Sequence, residues 1–317
     1  MNKKHILDLI KECFSEWSKD HASQLAAALA YYTIFSLAPL LVIMLAIVRF
    51  VFGQEESGGQ VIAQISEFTG PQIGRLLQTV AQQAQRSSTG ILASIISIAV
   101  LIFAASGVFY QLQFSLNTIW EVESKPGRGI KSFVRKRVSS FILIFVVGFL
   151  LLLTLAASTG ISALSDRIDE FIPGSRFVIL VLNSGILLCM GGLLFAVIFK
   201  MLPEANVAWK DVWIGAVVTS ALLAAGKFAI TLYLSKSTMA SPYGAAGSLM
   251  ILLAFVYYCA QIFFIGAEFT QVYANHFGSK ITPSKHAQAK PLEEPSVKHQ
   301  PSEPHQDRTD DKSVSRH

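Results

Sequence analysis

The chain has 317 residues, 52% of them apolar and only 15% charged, with a mean hydropathy of +0.49. A soluble domain carries nearer a quarter charged residues, so this composition excludes an ordinary water-soluble globule. The net charge of +5 is no nucleic-acid signal, because the charges crowd into the termini and two loops. Cys13, Cys189 and Cys259 match no zinc or redox spacing and make no disulfide framework.

In chain order, residues 3–20 predict an amphipathic helix. Ile6, Ile10, Cys13, Phe14 and Trp17 recur at helical spacing among Lys3, Lys4, Asp8, Lys11, Glu12 and Glu16. Such a helix before a span is expected in the headgroup layer, with Trp17 at the interface. Docking against another protein is the alternative. Six long apolar runs follow, at 25–52, 90–111, 138–164, 176–202, 211–234 and 245–274. Each reaches the ~20 residues that cross ~30 Å of hydrocarbon, where a spanning segment must satisfy its own backbone as a helix. No cleavable signal peptide is expected, since the first run is too long and lacks a small-residue cleavage site.

The predicted fold is therefore all-α: a polytopic membrane protein with six transmembrane helices. Residues 1–24 form the amphipathic N-terminal segment, 25–275 the membrane domain and 276–317 a disordered tail. From residue 279 onward the chain has five prolines, many charges and no aromatic residue, a composition that cannot offset ordering entropy. The external loop 53–89 should hold two short amphipathic helices split at Gly70-Pro71, resting on the outer leaflet or capping the bundle.

Orientation follows from the basic residues. Nineteen of 26 fall in the N-terminal segment, the loop after run two, the loop after run four and the tail; five fall on the opposite side. By the positive-inside rule both termini are cytoplasmic. The dense basic stretch within 125–137 is expected to hold anionic lipid headgroups. No nucleic acid, cofactor or metal is expected as a partner. The Gly/Ala-rich spans fit internal packing or a homo-oligomer.

Several residues in the spans bear on function. Pro39 predicts a kink in the first run, close to Tyr31, Tyr32 and Ser36. Lys227 and Glu268 are ionisable residues inside spans, and each is a functional-site hypothesis by default. They differ in height by roughly 10 Å or more, too far for a direct salt bridge. Glu268 matches Lys200, Gln111 and Tyr31/Tyr32 in depth; Lys227 can snorkel or reach outward to phosphates or to Asp166, Asp169 and Glu170. Tyr243, Gly244 and Gly247 open the sixth run, where small residues allow close packing or present a helix N-terminus to an anion. Tyr257, Gln261 and Gly266 add polar or small positions along it. All seven histidines lie outside the spans, and no nucleophile elbow, carboxylate pair or phosphate loop appears.

Five stretches together resemble the YihY/BrkB family of bacterial inner-membrane proteins. They are Ala28-Leu29-Ala30-Tyr31-Tyr32, Phe35-Ser36-Leu37-Ala38-Pro39, Leu116-Asn117-Thr118-Ile119-Trp120, Ser241 through Ser248, and Gly266-Ala267-Glu268-Phe269-Thr270. The resemblance covers about residues 5–276. Phe255 departs from it, standing where many relatives have tryptophan, and should alter packing more than mechanism. The resemblance implies a six-span membrane protein, similar to proteins described as virulence or serum-resistance factors. The family's older ribonuclease BN label fits poorly, since metal-dependent cleavage needs a ligand cluster and these spans hold no histidine and one acid well inside them, Glu268.

The reading is a non-enzymatic transporter, exporter or channel for a small solute or lipid. Its polar cluster is expected to combine Tyr32, Ser36, Gln111 and Glu268 on the cytoplasmic side, with Lys227 and Tyr243/Gly244 toward the outer side. The alternative is a non-transporting envelope scaffold.

Overall fold

The computed structural model describes residues 3–52, 69–86, 106–125, 176–236, 245–285 and 287–290, with isolated positions between 59 and 66 and between 146 and 160. The helices are α1 (Lys3–Lys19), α2 (Ala22–Phe52), α3 (Pro71–Arg86), α4 (106–119), α5 (Arg176–Met201), α6 (Trp209–Lys236) and α7 (Ala245–His276). Short strands β1 (Val122–Ser124), β2 (Ala205–Asn206), β3 (Thr282–Pro283) and β4 (Ala287–Ala289) lie in the connections.

Stretches within α5, α6 and α7 (Ser184–Met201, Trp209–Ile230 and Leu249–His276) are long and apolar enough to cross a membrane, and Ala22–Leu37 of α2 is a shorter apolar stretch. The helix α2 runs without interruption through Pro39. The predicted runs at 90–111 and 138–164 lie largely outside the described residues.

α7 is the organising element. It packs against α6, α2, α1 and α3, while α5 lies against α6. Two apolar clusters form, one toward each end of α7. Toward its C-terminus, Trp120, Phe199, Phe263 and Phe264 join Leu116, Ile119, Ala260 and Ala267. Ring centroids there stand 6.1 Å apart for Trp120–Phe199 and 5.2 Å for Phe199–Phe263. Toward its N-terminus, Ile73, Leu77 and Ala81 of α3 pack with Ile230, Ile251, Leu252 and Phe255. The second of the two expected loop helices thus caps the bundle, and Phe255 contributes packing. Gly70 has φ 97° and donates its N–H to Ser66 O at 2.8 Å, ending the helical turn before it. That is a left-handed helix stop that glycine adopts without strain, and Pro71 then starts α3, where its missing N–H costs nothing.

The predicted tail is corrected over 276–290. β3 pairs antiparallel with β2, and β4 with β1. Ser279 donates from its backbone N (2.9 Å) and its Oγ (2.8 Å) to the buried carboxylate of Asp211 in the first turn of α6. Lys290 N donates to Glu121 O at 2.9 Å. This segment is held through backbone pairing and one buried carboxylate rather than through a large apolar face, so composition alone reads it as tail. Residues 291–317 lie outside the described residues.

α1 also departs from expectation. It packs on the bundle with Leu9 and Cys13 buried and Trp17 against the core, and Cys13 Sγ donates to Ile265 O at 3.6 Å. Ile10 and Phe14, expected on the same face, point outward with Leu7. The helix therefore carries two apolar stripes, one seated on its own bundle.

Candidate polar site around Glu268

Glu268 lies two turns before the end of α7 and is 0% exposed. Neither carboxylate oxygen has a hydrogen-bond partner among the described residues. The charged groups whose fields reach it are Asp20, Glu16, Glu121 and Lys19. They come from the end of α1, the α1–α2 turn and the turn after α4. Both turns are strained at one residue: His21 has φ 50° and Glu121 φ 53°, left-handed values that cost a non-glycine residue. Lys19 ties the two together, 2.8 Å from Glu16 and 3.5 Å from Glu121. Trp120 Nε1 donates to Ala267 O at 3.3 Å, fixing its turn beside α7. Trp17 Nε1 and Asp20 Oδ2 are further buried polar atoms without a partner among the described residues.

Burial pushes the Asp20 carboxyl up to about 6, Lys19 opposing that and Glu121 and Glu16 reinforcing it, with Lys290 a last, lowering influence. The Cys13 thiol rises to about 12, through burial first and the Glu268 charge second. Because the folded value for Asp20 exceeds its ordinary 3.8, the folded state binds this proton more tightly. Its stabilising contribution is complete below about pH 4 and is lost as pH rises through about 6. Asp20 is partly exposed, so the full shift is discounted for screening. Asp20→Asn is expected to stabilise the protein by about 1 kcal/mol at pH 8 and by almost nothing near pH 4. Thermal melts at both pH values check this; an equal gain at both would make the effect one of packing.

The expected cluster assembles only in part. Tyr32 touches the backbone side of Gly107, joining α2 to α4, but is partly exposed and sits edge-on to Tyr31 at 5.8 Å. Ser36 is fully buried and donates to Thr33 O at 3.1 Å within its own helix. Gln111 is buried, its Nε2 donating to Ser115 Oγ at 3.3 Å, also within its own helix. Lys200 is spent elsewhere: its Nζ donates to Val207 O and stands 5.6 Å over the Trp209 ring. Lys227 is half-buried on α6. Gly247 is buried in the first turn of α7, Tyr257 is at the surface, and Gln261 holds a buried Oε1 without a partner among the described residues. The side chain of Pro39, and both Tyr243 and Gly244, lie outside the described residues.

Sequence reasoning missed the groups that do surround Glu268, and it missed how α6 meets α7. A Cβ on Gly215 would fall 1.8 Å from Thr270 Oγ1, and one on Gly266 would fall 2.0 Å from Thr219 Oγ1. Each threonine hydroxyl donates at 2.7 Å to the glycine carbonyl one turn earlier in its own helix. Two antiparallel Gly-x-x-x-Thr segments, 215–219 and 266–270, thus lock head to tail. The repeated spacing was the available signal. Gly266 sits two residues before Glu268, so this lock fixes the carboxylate's position.

Three helical stretches long and apolar enough to cross a membrane among the described residues define a multi-pass integral membrane protein. The family described as Virulence factor BrkB matches residues 13–291, and the chain belongs to that family. Among its relatives, a "UPF0761 membrane protein" of Azotobacter vinelandii is 26% identical over 83% of this chain and 62% of its own length. The corresponding Legionella pneumophila protein lpg0643 is 27% identical over 81% of this chain and 60% of its own length. The chain thus spans about three fifths of these relatives. A Bacillus subtilis protein named as ribonuclease-like, YfkH, is 22% identical over 83% of this chain and 94% of its own length. No solved structure matches.

Proposed function

We propose that the chain is a non-enzymatic transporter or channel of the bacterial cytoplasmic membrane, moving a small solute or lipid through a bundle of six spans. The observation that carries the reading is Glu268, wholly buried in a span-length helix with both oxygens unpartnered among the described residues. Such a group is costly in a membrane and is retained where it serves a pathway. The topology has support in geometry. α1 and the 276–290 segment meet at one end of the bundle through Glu121, which fits an even number of crossings, and the charge distribution puts that end in the cytoplasm. Lys125 begins the basic loop that we assign to anionic headgroups.

Efflux from proteoliposomes loaded with a pooled cytosolic metabolite extract, read by mass spectrometry against empty liposomes, tests the reading. Selective release that falls at least tenfold in a well-folded Glu268→Gln variant is expected, roughly the weight of one lost charged contact. Normal flux in that variant would remove Glu268 from the pathway. A scaffold reading is favoured by one feature, the outward stripe Leu7, Ile10 and Phe14 on α1. It requires that loss of residues 1–20 abolish a deletion phenotype's rescue while Glu268→Gln rescues fully.

A further inference from the structure

A carboxylate accepts hydrogen bonds and donates none when ionised, but a proton turns one oxygen into a donor. Here neither oxygen has a hydrogen-bond partner among the described residues, and a bare charge in a low-dielectric interior is the costliest arrangement of all. The groups facing Glu268 sharpen this. From α1 come Cys13, Glu16 and Lys19, from the α1–α2 turn Asp20, and from the turn after α4 Glu121. Lys290 stands behind Asp20 and Glu121. The Trp120 and Cys13 hydrogen bonds to Ala267 O and Ile265 O bring the Glu121 turn and α1 close to Glu268, the fields of three acids reach it there, and Lys19 is already shared between two of them. Among the described residues, Leu9, Cys13 and part of Trp17 form the apolar seat of α1 on this side.

We infer that Glu268 is a proton-binding site and that its proton fastens α1 to the bundle. With the proton bound, the seam is neutral at Glu268 and Cys13 rests on Ile265. Loss of the proton places a fourth negative charge opposite Glu16, Asp20 and Glu121, and α1 loosens. Only a proton is gained or lost; no covalent bond changes. The inference rests on the transport reading for its place in a cycle, but its test needs no substrate.

Two readouts on the full-length protein in detergent or nanodiscs suffice. Infrared difference spectra between about pH 6 and about pH 9 should contain the carbonyl band of a protonated acid, lost in Glu268→Gln and shifted in Glu268→Asp. The second is maleimide labelling of Cys13, with Cys189 and Cys259 replaced by alanine. Corrected for thiol ionisation, labelling should rise about tenfold across that pH range in the parent and stay flat in Glu268→Gln. A spectrum without a Glu268 band, a band that responds to sodium ion rather than pH, or equal labelling in both proteins overturns the proposal. If Glu268→Gln fails to fold, Glu268→Asp decides it: a band that does not move is fatal. Absent solute flux with both readouts positive would instead fall on the transport reading alone.

Discussion

Ending the chain after Lys290 is expected to leave its thermal midpoint unchanged, whereas ending it after His276 should lower the midpoint by roughly 10 °C or more. The shorter chain loses β3 and β4, and with them both strand pairs. It also strips Asp211 of the Ser279 N–H and hydroxyl that satisfy it. Two charge-assisted hydrogen bonds and two strand pairs are lost together, and the total should be on the order of 5 kcal/mol. Gly278 shows how closely this clasp fits, since a Cβ there would fall 2.5 Å from the Asp211 carboxylate. Scanning fluorimetry in a mild detergent compares the two truncations. Equal midpoints would show that the segment merely rests on the bundle. Ser279→Ala, which removes one of the two donors, should cost about a third as much.

Gly266→Ala should be nearly as damaging for the addition of a single methyl group. Its Cβ would meet Thr219 Oγ1 at 2.0 Å and Thr219 Cβ at 2.8 Å. Such overlap cannot be relieved by rotating one flexible side chain; α6 and α7 must separate. Overpacking of this kind costs about 3 kcal/mol, and Gly266→Leu should prevent assembly. In a membrane the contact between helices is van der Waals packing with little hydrophobic drive behind it, so a lost fit is poorly compensated. Combining Gly266→Ala with Thr219→Gly should recover part of the midpoint, because the second change opens the space the first one fills. A double-mutant cycle with no coupling between the two sites would refute the reciprocal lock. The mirror substitution, Gly215→Ala against Thr270, should behave alike.

Much of this architecture was legible in the sequence because hydrocarbon leaves few options. The runs that became α2, α5, α6 and α7 could be read from apolar length, and the α3 start from Gly70-Pro71. The amphipathic α1 was foreseen, but its two apolar stripes could not be separated by period alone, because Leu9, Cys13 and Trp17 lie within one turn of Ile10 and Phe14 on the helical wheel. The strands at 282–289 were invisible for a different reason. They are two or three residues long, show no alternation, and find partners roughly 80 and 160 residues upstream. Glu268 stood out as a lone acid in an apolar run. Its surroundings did not, since Asp20 and Glu121 sit in turns whose approach to α7 depends on tertiary packing. Lys200 was matched to it by depth, yet depth says nothing of azimuth, and that side chain folds back to Val207.

The strand pairs also impose a chronology on the newly made protein. The apolar helices can settle one by one as they leave the translocation machinery, but Val122–Ser124 has no partner until residues 287–289 exist. Until then one end of the bundle presents unpaired backbone groups, the kind of edge that invites foreign strands. Closure of that end is thereby tied to the synthesis of residues 287–289. A chain clipped or stalled before residue 287 would remain recognisably unfinished to whatever inspects new membrane proteins.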